Sequence, residues 1–455
     1  MNPTPAPIAD RPGADRFGHP RALGYLFATE MWERFSYYGM RALLVLYMVK
    51  YLLDPQRAGG VAGLGAFQAG LEFVFGPLAP QPLASQIYGF YTGLVYLTPI
   101  FGGLIADRLI GQRRTVILGA ALMAVGHFMM AFEHLFLVAL IVLILGNGAF
   151  KPNISTQVGT LYAPGDPRRD RAFSIFYVGI NLGAFLAPLV CGTLGEELGW
   201  HYGFAAAGVG MTIGLVIYLL AGPALPPDAF TRRVNTPNAP LDRHSWLAIG
   251  AILALMLPVS LFWATYEQQG NTIALWADAH TDRHFDFILF AGEIPVTWFQ
   301  SFNPFMIFAF TPLVISLWRW QGPREPSTAA KMAIGCFLNA AAYLIMVAAA
   351  SKTGSGQASW LWLLFFFIVI TIGELYLSPI GFSLVTKVAP VHLLSMMMGV
   401  WLSTSFIGGF LTGYLGTFWS SMAKTDFFLM LAIISAIAGL AIALLIRPLR
   451  GILRD

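Results

Sequence analysis

Residues 361–383 read LWLLFFFIVITIGELYLSPIGFS. A single ionisable residue, Glu374, interrupts a run long enough to cross a bilayer, for which about 20 apolar residues suffice in a helix. The run is continuously apolar and does not alternate as the strands of a membrane barrel must, so it reads as a transmembrane helix carrying an internal carboxylate. The whole chain has the same character. Of its 455 residues 57% are hydrophobic and 11% charged, and the mean hydropathy is +0.66. Soluble domains carry about 25% charged residues. This composition excludes a soluble enzyme, a disordered chain and a secreted disulfide scaffold, and it defines an all-α polytopic membrane protein.

Twelve apolar spans are expected, at roughly 22–51, 86–106, 113–132, 135–159, 171–194, 201–222, 246–269, 295–319, 328–350, 360–387, 393–420 and 425–447. With the N-terminus inside, 19 Lys and Arg fall in inner segments and 5 in outer ones. That asymmetry places both termini in the cytoplasm. It also accounts for a pI near 9.0 without nucleic acid as a partner. The first 20 residues hold no apolar core, so no cleavable signal peptide is expected and the first span directs insertion. Cys191 and Cys336 both lie in apolar spans and read as small buried hydrophobes.

The Pro-rich stretch GPALPPDAFTRRVNTPNAPLDRH at 223–245 follows the sixth span. It divides the chain into an N-terminal six-helix bundle at 1–222, a cytoplasmic linker at 223–245 and a C-terminal six-helix bundle at 246–455. Two such halves suggest a transporter whose bundles rock around a site near the bilayer midplane. The segment 52–85 reads as a long irregular outer loop. The segment 270–294, with Asp278, Asp282, Asp286, Glu293, His280 and His284, reads as a solvated acidic loop, because its spacing matches no metal-ligand motif.

Seven ionisable residues fall within spans: Glu30, Glu33, Arg34, Arg41, Lys151, Glu267 and Glu374. Each costs at least about 2.5–3.5 kcal/mol at the bilayer centre on insertion scales, so they must face one another or a wet cavity. In TEMWERFSYYGMR, Glu30, Glu33 and Arg34 stand at i, i+3 and i+4 and share one helix face. Two carboxylates beside one guanidinium cannot both be fully paired, which makes a protonatable site; a buried structural ion pair is the competing reading. In GNGAFKPNISTQVGTLY, Lys151 precedes Pro152, which interrupts the helical ladder. Glu267 stands near the end of its span, where a surface position competes with an internal one. Arg34 and Lys151 would hold an anionic group and Glu374 a cationic one, an arrangement suited to a zwitterion bound between the bundles.

These residues resemble the motifs of the proton-dependent oligopeptide transporter family of the major facilitator superfamily, over most of the chain. Glu30, Glu33 and Arg34 fit E-x-x-E-R, followed by FSYYGMRALL. YLTPIFGGLIADRLIGQRR at 96–114, FKPNISTQVGTLY around Lys151, IFYVGINLGA at 175–184 and GELYLSPIGFSLVTKVAP at 373–390 are similar to further family signatures. The resemblance implies a major-facilitator fold and proton-coupled symport of di- and tripeptides into the cell by alternating access. It implies that Arg34 and Lys151 attract the peptide carboxylate, and that Asn303 and Glu374 hold its amino terminus. Asn181, Tyr37 and Tyr96 would bond the peptide backbone, while Tyr38, Trp263, Ser378 and Trp401 would line side-chain pockets. Glu30 and Glu33 would couple protons, with Glu267 pairing with Arg34 as the outer side closes. No cofactor beyond the coupling proton and no metal is implied. The expected setting is a monomer in the lipid of the plasma membrane, the inner membrane in a Gram-negative bacterium.

The chain departs from the family pattern at two motif positions. Tyr88-Gly89 stands where mammalian relatives carry tyrosine-histidine, and Ala184 where serine is usual. The short linker leaves no room for the two extra helices of many bacterial relatives. Competing readings are transport of another anionic or zwitterionic solute, and proton-driven drug export. A membrane enzyme has no support, since no nucleophile-base set, metal spacing or phosphate loop is present in the sequence.

Overall fold

The computed structural model describes residues 15–453, apart from 17, 164–165, 226–242, 288–289, 355 and 391–392. The helices in chain order are α1 (Arg21–Tyr47), α2 (Pro55–Ala58), α3 (Leu64–Phe75), α4 (Pro80–Leu97), α5 (Pro99–Ile105), α6 (Gln112–Met129), α7 (Phe136–Thr160), α8 (Arg168–Ala187), α9 (Trp200–Leu220), α10 (Arg243–Tyr266), α11 (Thr272–Ala279), α12 (Phe302–Gln321), α13 (Thr328–Thr353), α14 (Leu361–Val388), α15 (Leu394–Gly416) and α16 (Lys424–Leu453). Strands occur only as two- to four-residue pieces among the described residues, the longest pair being His284–Phe287 with Phe290–Glu293.

Ten helical segments among the described residues are long and apolar enough to cross a membrane. Two more long helices, α1 and α6, carry the charges of the E-x-x-E-R and G-Q-R-R motifs. The molecule is therefore a helical membrane protein. The linker expected at 223–245 falls mostly on residues 226–242, outside the described residues.

The chain forms two compact units: Met1–Leu43, Pro55–Ala66 and Leu97–Arg233, and then Leu44–Asp54, Phe67–Tyr96 and Val234–Asp455. This division follows the two halves of the sequence except that the end of α1 and most of α3 and α4 belong with the second half. Glycine explains the placement of α4. A Cβ on Gly89 would lie 2.5 Å from Gly413 Cα, and one on Gly409 would lie 2.5 Å from Gly93 N. The backbones of α4 and α15 thus touch along these glycines, the small-residue packing that membrane helices use where lipid gives no hydrophobic drive. A histidine at position 89 has no space, which accounts for the Tyr88-Gly89 departure.

In the first unit the same device joins α5 to α7. A Cβ on Gly102 would fall onto the Gly148 carbonyl, whereas neighbouring Gly103 has open space around it. Gly102→Ala must push two backbones apart. It is expected to lower stability by about 3 kcal/mol or more, at the upper end of overpacking costs. Gly103→Ala is expected to be neutral or stabilising by up to about 1 kcal/mol. Thermal unfolding of the two purified variants in detergent checks the contrast, and equal melting temperatures would refute it.

In the second unit, Asn339 donates to Thr265 Oγ1 at 2.8 Å, Ser435 donates to the same atom at 3.0 Å, and Tyr343 donates to the Thr265 carbonyl at 2.6 Å. Such internal pairing is what apolar surroundings require of a buried polar group.

Two expectations are corrected. The segment 52–85 is not an irregular loop. It holds α2 and α3, with Leu64 and Leu71 buried. Glu72, closing α3, accepts from Gln68 at 2.8 Å and from the Leu78 amide at 3.0 Å. The segment 270–294 is not simply solvated, because α11 is buried along Thr272–Ala277. Its charges make ion pairs, Lys50 with Asp278 at 2.8 Å and Arg283 with Glu293 at 2.5 Å.

Candidate functional site

The first group of functional side chains stands on α1. Arg34 Nε lies 3.2 Å from Glu30 Oε1 and 2.5 Å from Glu33 Oε2. All three are almost completely enclosed, with side-chain exposures of 4%, 2% and 0%. The i, i+3, i+4 spacing has put them on one face, as the sequence implied. Asn147 of α7 adds a hydrogen bond to Glu33 Oε1 at 3.2 Å. Glu30 Oε2 and Arg34 Nη2 are buried and make no hydrogen bond among the described residues. A buried polar atom without a partner calls for a reason. Here one carboxylate oxygen remains to take a proton and one guanidinium nitrogen to hold an anion. Lys151 stands one helical turn beyond Asn147 on α7, and its charge acts on Glu30 together with those of Arg34 and Glu33.

Aromatic and amide groups extend this cluster. The Arg34 guanidinium lies 5.4 Å over the Tyr37 ring, Tyr37 meets Tyr38 edge-on at 5.1 Å, and Arg41 lies 5.9 Å over Tyr38. Asn181 on α8 is buried and donates to the Tyr177 carbonyl at 3.0 Å. Its helix lies directly against α1, since a Cβ on neighbouring Gly183 would meet the Met31 carbonyl and stand 3.0 Å from Arg34 Cβ.

The second group lies in the other unit and centres on Glu374 of α14. Tyr266 of α10 donates its hydroxyl to Glu374 Oε2 at 2.5 Å. Asn303 Nδ2 of α12 lies 3.0 Å from that same oxygen, from the Tyr266 hydroxyl and from Thr371 Oγ1. This carboxylate oxygen of α14 thereby accepts from neutral donors on two other helices, α10 and α12. Trp263 stands edge-on to Tyr266 at 5.4 Å. Ser378 is one turn beyond Glu374 and half-buried. Trp401 is buried and its ring packs against Gly381.

Glu267 is buried at 5% exposure, which settles its position against the surface reading. It opens a 3-10 turn, Glu267–Gly270, beyond α10, where Tyr88 donates to its carbonyl at 3.4 Å. The ion pairs of Arg34 are to Glu30 and Glu33 of its own helix; Glu267 belongs to the other unit. Tyr96 lies half-buried near the end of α4, within the second unit.

Sequence reasoning missed Asn147, Tyr266 and Thr371. Asn147 had a signal, because it precedes Lys151 by four residues and so shares its helix face. Thr371 had the same kind of signal, standing three residues before Glu374 on α14; Tyr266 had none, since only the crossing of α10 and α14 brings it to Glu374.

The sequence profile described as the POT family matches residues 113–225 and 244–433. This chain belongs to the POT family. It is similar to a di-/tripeptide transporter of Lactococcus lactis subsp. cremoris, 34% identical over 96% of this chain and 97% of that protein. It is also similar to a peptide transporter of Yersinia enterocolitica, 32% identical over 97% of each. A crystal structure of a mutant peptide transporter in complex with alafosfalin superposes with a TM-score of 0.85, at 31% identity over 98% of both chains. A POT family transporter in complex with 5-aminolevulinic acid gives a TM-score of 0.81, at 29% identity over 96% of this chain and 99% of that one. This POT family member is a membrane transporter and not an enzyme.

Proposed function

We propose that the protein carries di- and tripeptides across the plasma membrane together with protons, by alternating access between two six-helix bundles. The observation that carries this reading is the separation of charge between the units. The first holds Arg34, with an unbonded Nη2, and Lys151; the second holds Glu374, its carboxylate oriented by Tyr266 and Asn303. Each end of a free peptide then has a partner of opposite sign, and a substrate held by both units favours the state in which both are engaged. Tyr37, Tyr38, Tyr96, Asn181, Trp263, Ser378 and Trp401 supply the backbone and side-chain contacts in this reading. The names of the relatives support it.

Twelve spans follow when α1 and α6 are counted with the ten apolar segments, and the basic residues put both ends of the chain in the cytoplasm. The coupling ion is the proton, taken up at Glu30 and Glu33, and no cofactor takes part. The protein works as a monomer surrounded by lipid. A second reading, transport of other zwitterions, is favoured by the relative bound to 5-aminolevulinic acid, a molecule with an amine at one end and an acid at the other.

Proteoliposomes with an imposed inward proton gradient test the proposal. Labelled dialanine is expected to accumulate, and a protonophore to abolish the accumulation. Accumulation of free amino acids or nitrate in place of dialanine would overturn the peptide assignment.

A further inference from the structure

The short helix α3 stands apart from the groups described above, and its two polar side chains bond within α3 and to the turn that follows it. Gln68 donates to Glu72 at 2.8 Å, and Glu72 also accepts from the Leu78 amide at 3.0 Å. Leu64 and Leu71 are buried. The opposite face, with Ala69, Gly70, Phe73 and Val74, is exposed and holds no polar side chain. Phe73 is 93% exposed. A helix without a polar face belongs in apolar surroundings, yet no described residue covers this one.

The rings of α3 show which side of the molecule it covers. Phe67 meets Phe90 of α4 at 5.7 Å, Phe90 meets Phe410 of α15 at 4.5 Å, and Phe75 lies 5.8 Å from Tyr414. Helix α3 therefore lies over the seam at which α4 and α15 touch through their glycines. Ile407 and Tyr414 are exposed and form one line on the span Met396–Trp419. At 3.6 residues per turn that line stands about 130° around α15 from Trp401, Gly408 and Thr412. Those three are buried, with Gly408 packed against Trp263. An exposed apolar line on a span, turned away from the face that carries Trp401, is its lipid face. Phe75, itself exposed and in contact with Tyr414, carries that face onto α3.

We propose that α3 is a membrane-surface anchor, with Phe73 and Val74 set among the acyl chains at the headgroup boundary. Helices at that boundary bury an apolar face about 5–10 Å deep. Glu72 limits the depth, because a carboxylate is costly in hydrocarbon. Tyr414 fits the same level, where tyrosines gather at membrane–water interfaces. The leaflet, though not the insertion, rests on the orientation proposed above: α3 lies between an outward-running α1 and an inward-running α4, which makes it the outer one. A second copy of the chain is a poorer occupant. The 12 residues of α3 make a helix about 18 Å long and about 10 Å wide. One such face offers on the order of 200 Å², against roughly 800 Å² per partner in a stable complex.

Spin labels on the full chain in phosphatidylcholine vesicles test this. Cys191 and Cys336 are buried and free, so a thiol placed on the exposed face of α3 is the one labelled. Labels on Phe73→Cys and Val74→Cys are expected to collide more often with oxygen, which dissolves among acyl chains, than with a water-soluble nickel chelate. A label on Ala423→Cys, exposed in the loop between α15 and α16, should show the reverse. Nickel access at 73 and 74 equal to that at 423 would place α3 in water and overturn the proposal. Shielding from both reagents, with spin–spin broadening between copies, would give the face to a second copy and overturn it as well. Should Phe73→Cys fail to fold, Val74→Cys and Ala69→Cys carry the same contrast. The measurement requires no transport, so its failure would leave the peptide reading standing, and a failure of the peptide reading would leave the anchor standing.

Discussion

Glu33→Gln is expected to reduce uphill, proton-driven dipeptide uptake to background while leaving peptide counterflow measurable. The reason lies in a shared guanidinium. Arg34 Nε serves both Glu33, at 2.5 Å, and Glu30, at 3.2 Å, so the cluster of two acids and one base carries an extra negative charge. In surroundings this enclosed an unpaired carboxylate is costly, and a proton removes the cost. When a proton neutralises one acid, Arg34 is left to the other and to an incoming anion. Glutamine at 33 keeps the shape and the acceptor for Asn147, but fixes the neutral state permanently. Arg34 then pairs with Glu30 whatever the proton gradient, and binding is uncoupled from the gradient. Counterflow needs no net proton movement and survives in part. The measurement is uptake against a peptide gradient in proteoliposomes, compared with exchange at equal pH. Full uphill uptake in Glu30→Gln, Glu33→Gln and the double variant would remove the cluster from the coupling mechanism.

Much of this arrangement was legible in the sequence, because it depends on spacing within single helices. The E-x-x-E-R triad needs only 3.6 residues per turn to converge. The isolation of Glu374 between apolar runs was enough to place it inside the membrane. What the sequence withheld depends on contacts between segments far apart. In the sequence Gly89 stands out only as a missing histidine until it meets Gly413, 324 positions further along, and that contact moves α4 into the second unit. Tyr266 looked like one more aromatic residue beside Glu267, yet its hydroxyl donates to Glu374 at 2.5 Å. Helix α3 was hidden because its sequence, LGAFQAGLEFVF, is too short for a span and lies among glycines and prolines that read as loop. Its C-terminal order comes from Glu72 binding the Leu78 amide, a bond that no periodicity announces.

Capping the peptide at either end is expected to weaken its competition for labelled dipeptide uptake by roughly 10- to 150-fold, the range for losing a charge-assisted hydrogen bond worth about 1.5–3 kcal/mol. N-acetylation removes the positive end, for which Glu374 is the partner. Glu374 Oε2 already receives Tyr266 at 2.5 Å and Asn303 at 3.0 Å. Both of these donors are neutral, so they orient the carboxylate without cancelling its charge. Glu374→Gln removes that charge and little volume. It should bind free dialanine as weakly as wild type binds the acetylated form, and it should no longer distinguish the two. C-amidation removes the negative end and is read by Arg34 and Lys151, so Glu374→Gln should still discriminate against an amidated peptide. The crossed result separates a two-ended site from a general loss of function, because a variant that merely misfolds loses both preferences together. Equal inhibition of wild-type uptake by free, acetylated and amidated dialanine would show that neither terminus is recognised. Glu374 would then be reassigned to the architecture of α10, α12 and α14, which it already ties together through Tyr266, Asn303 and Thr371.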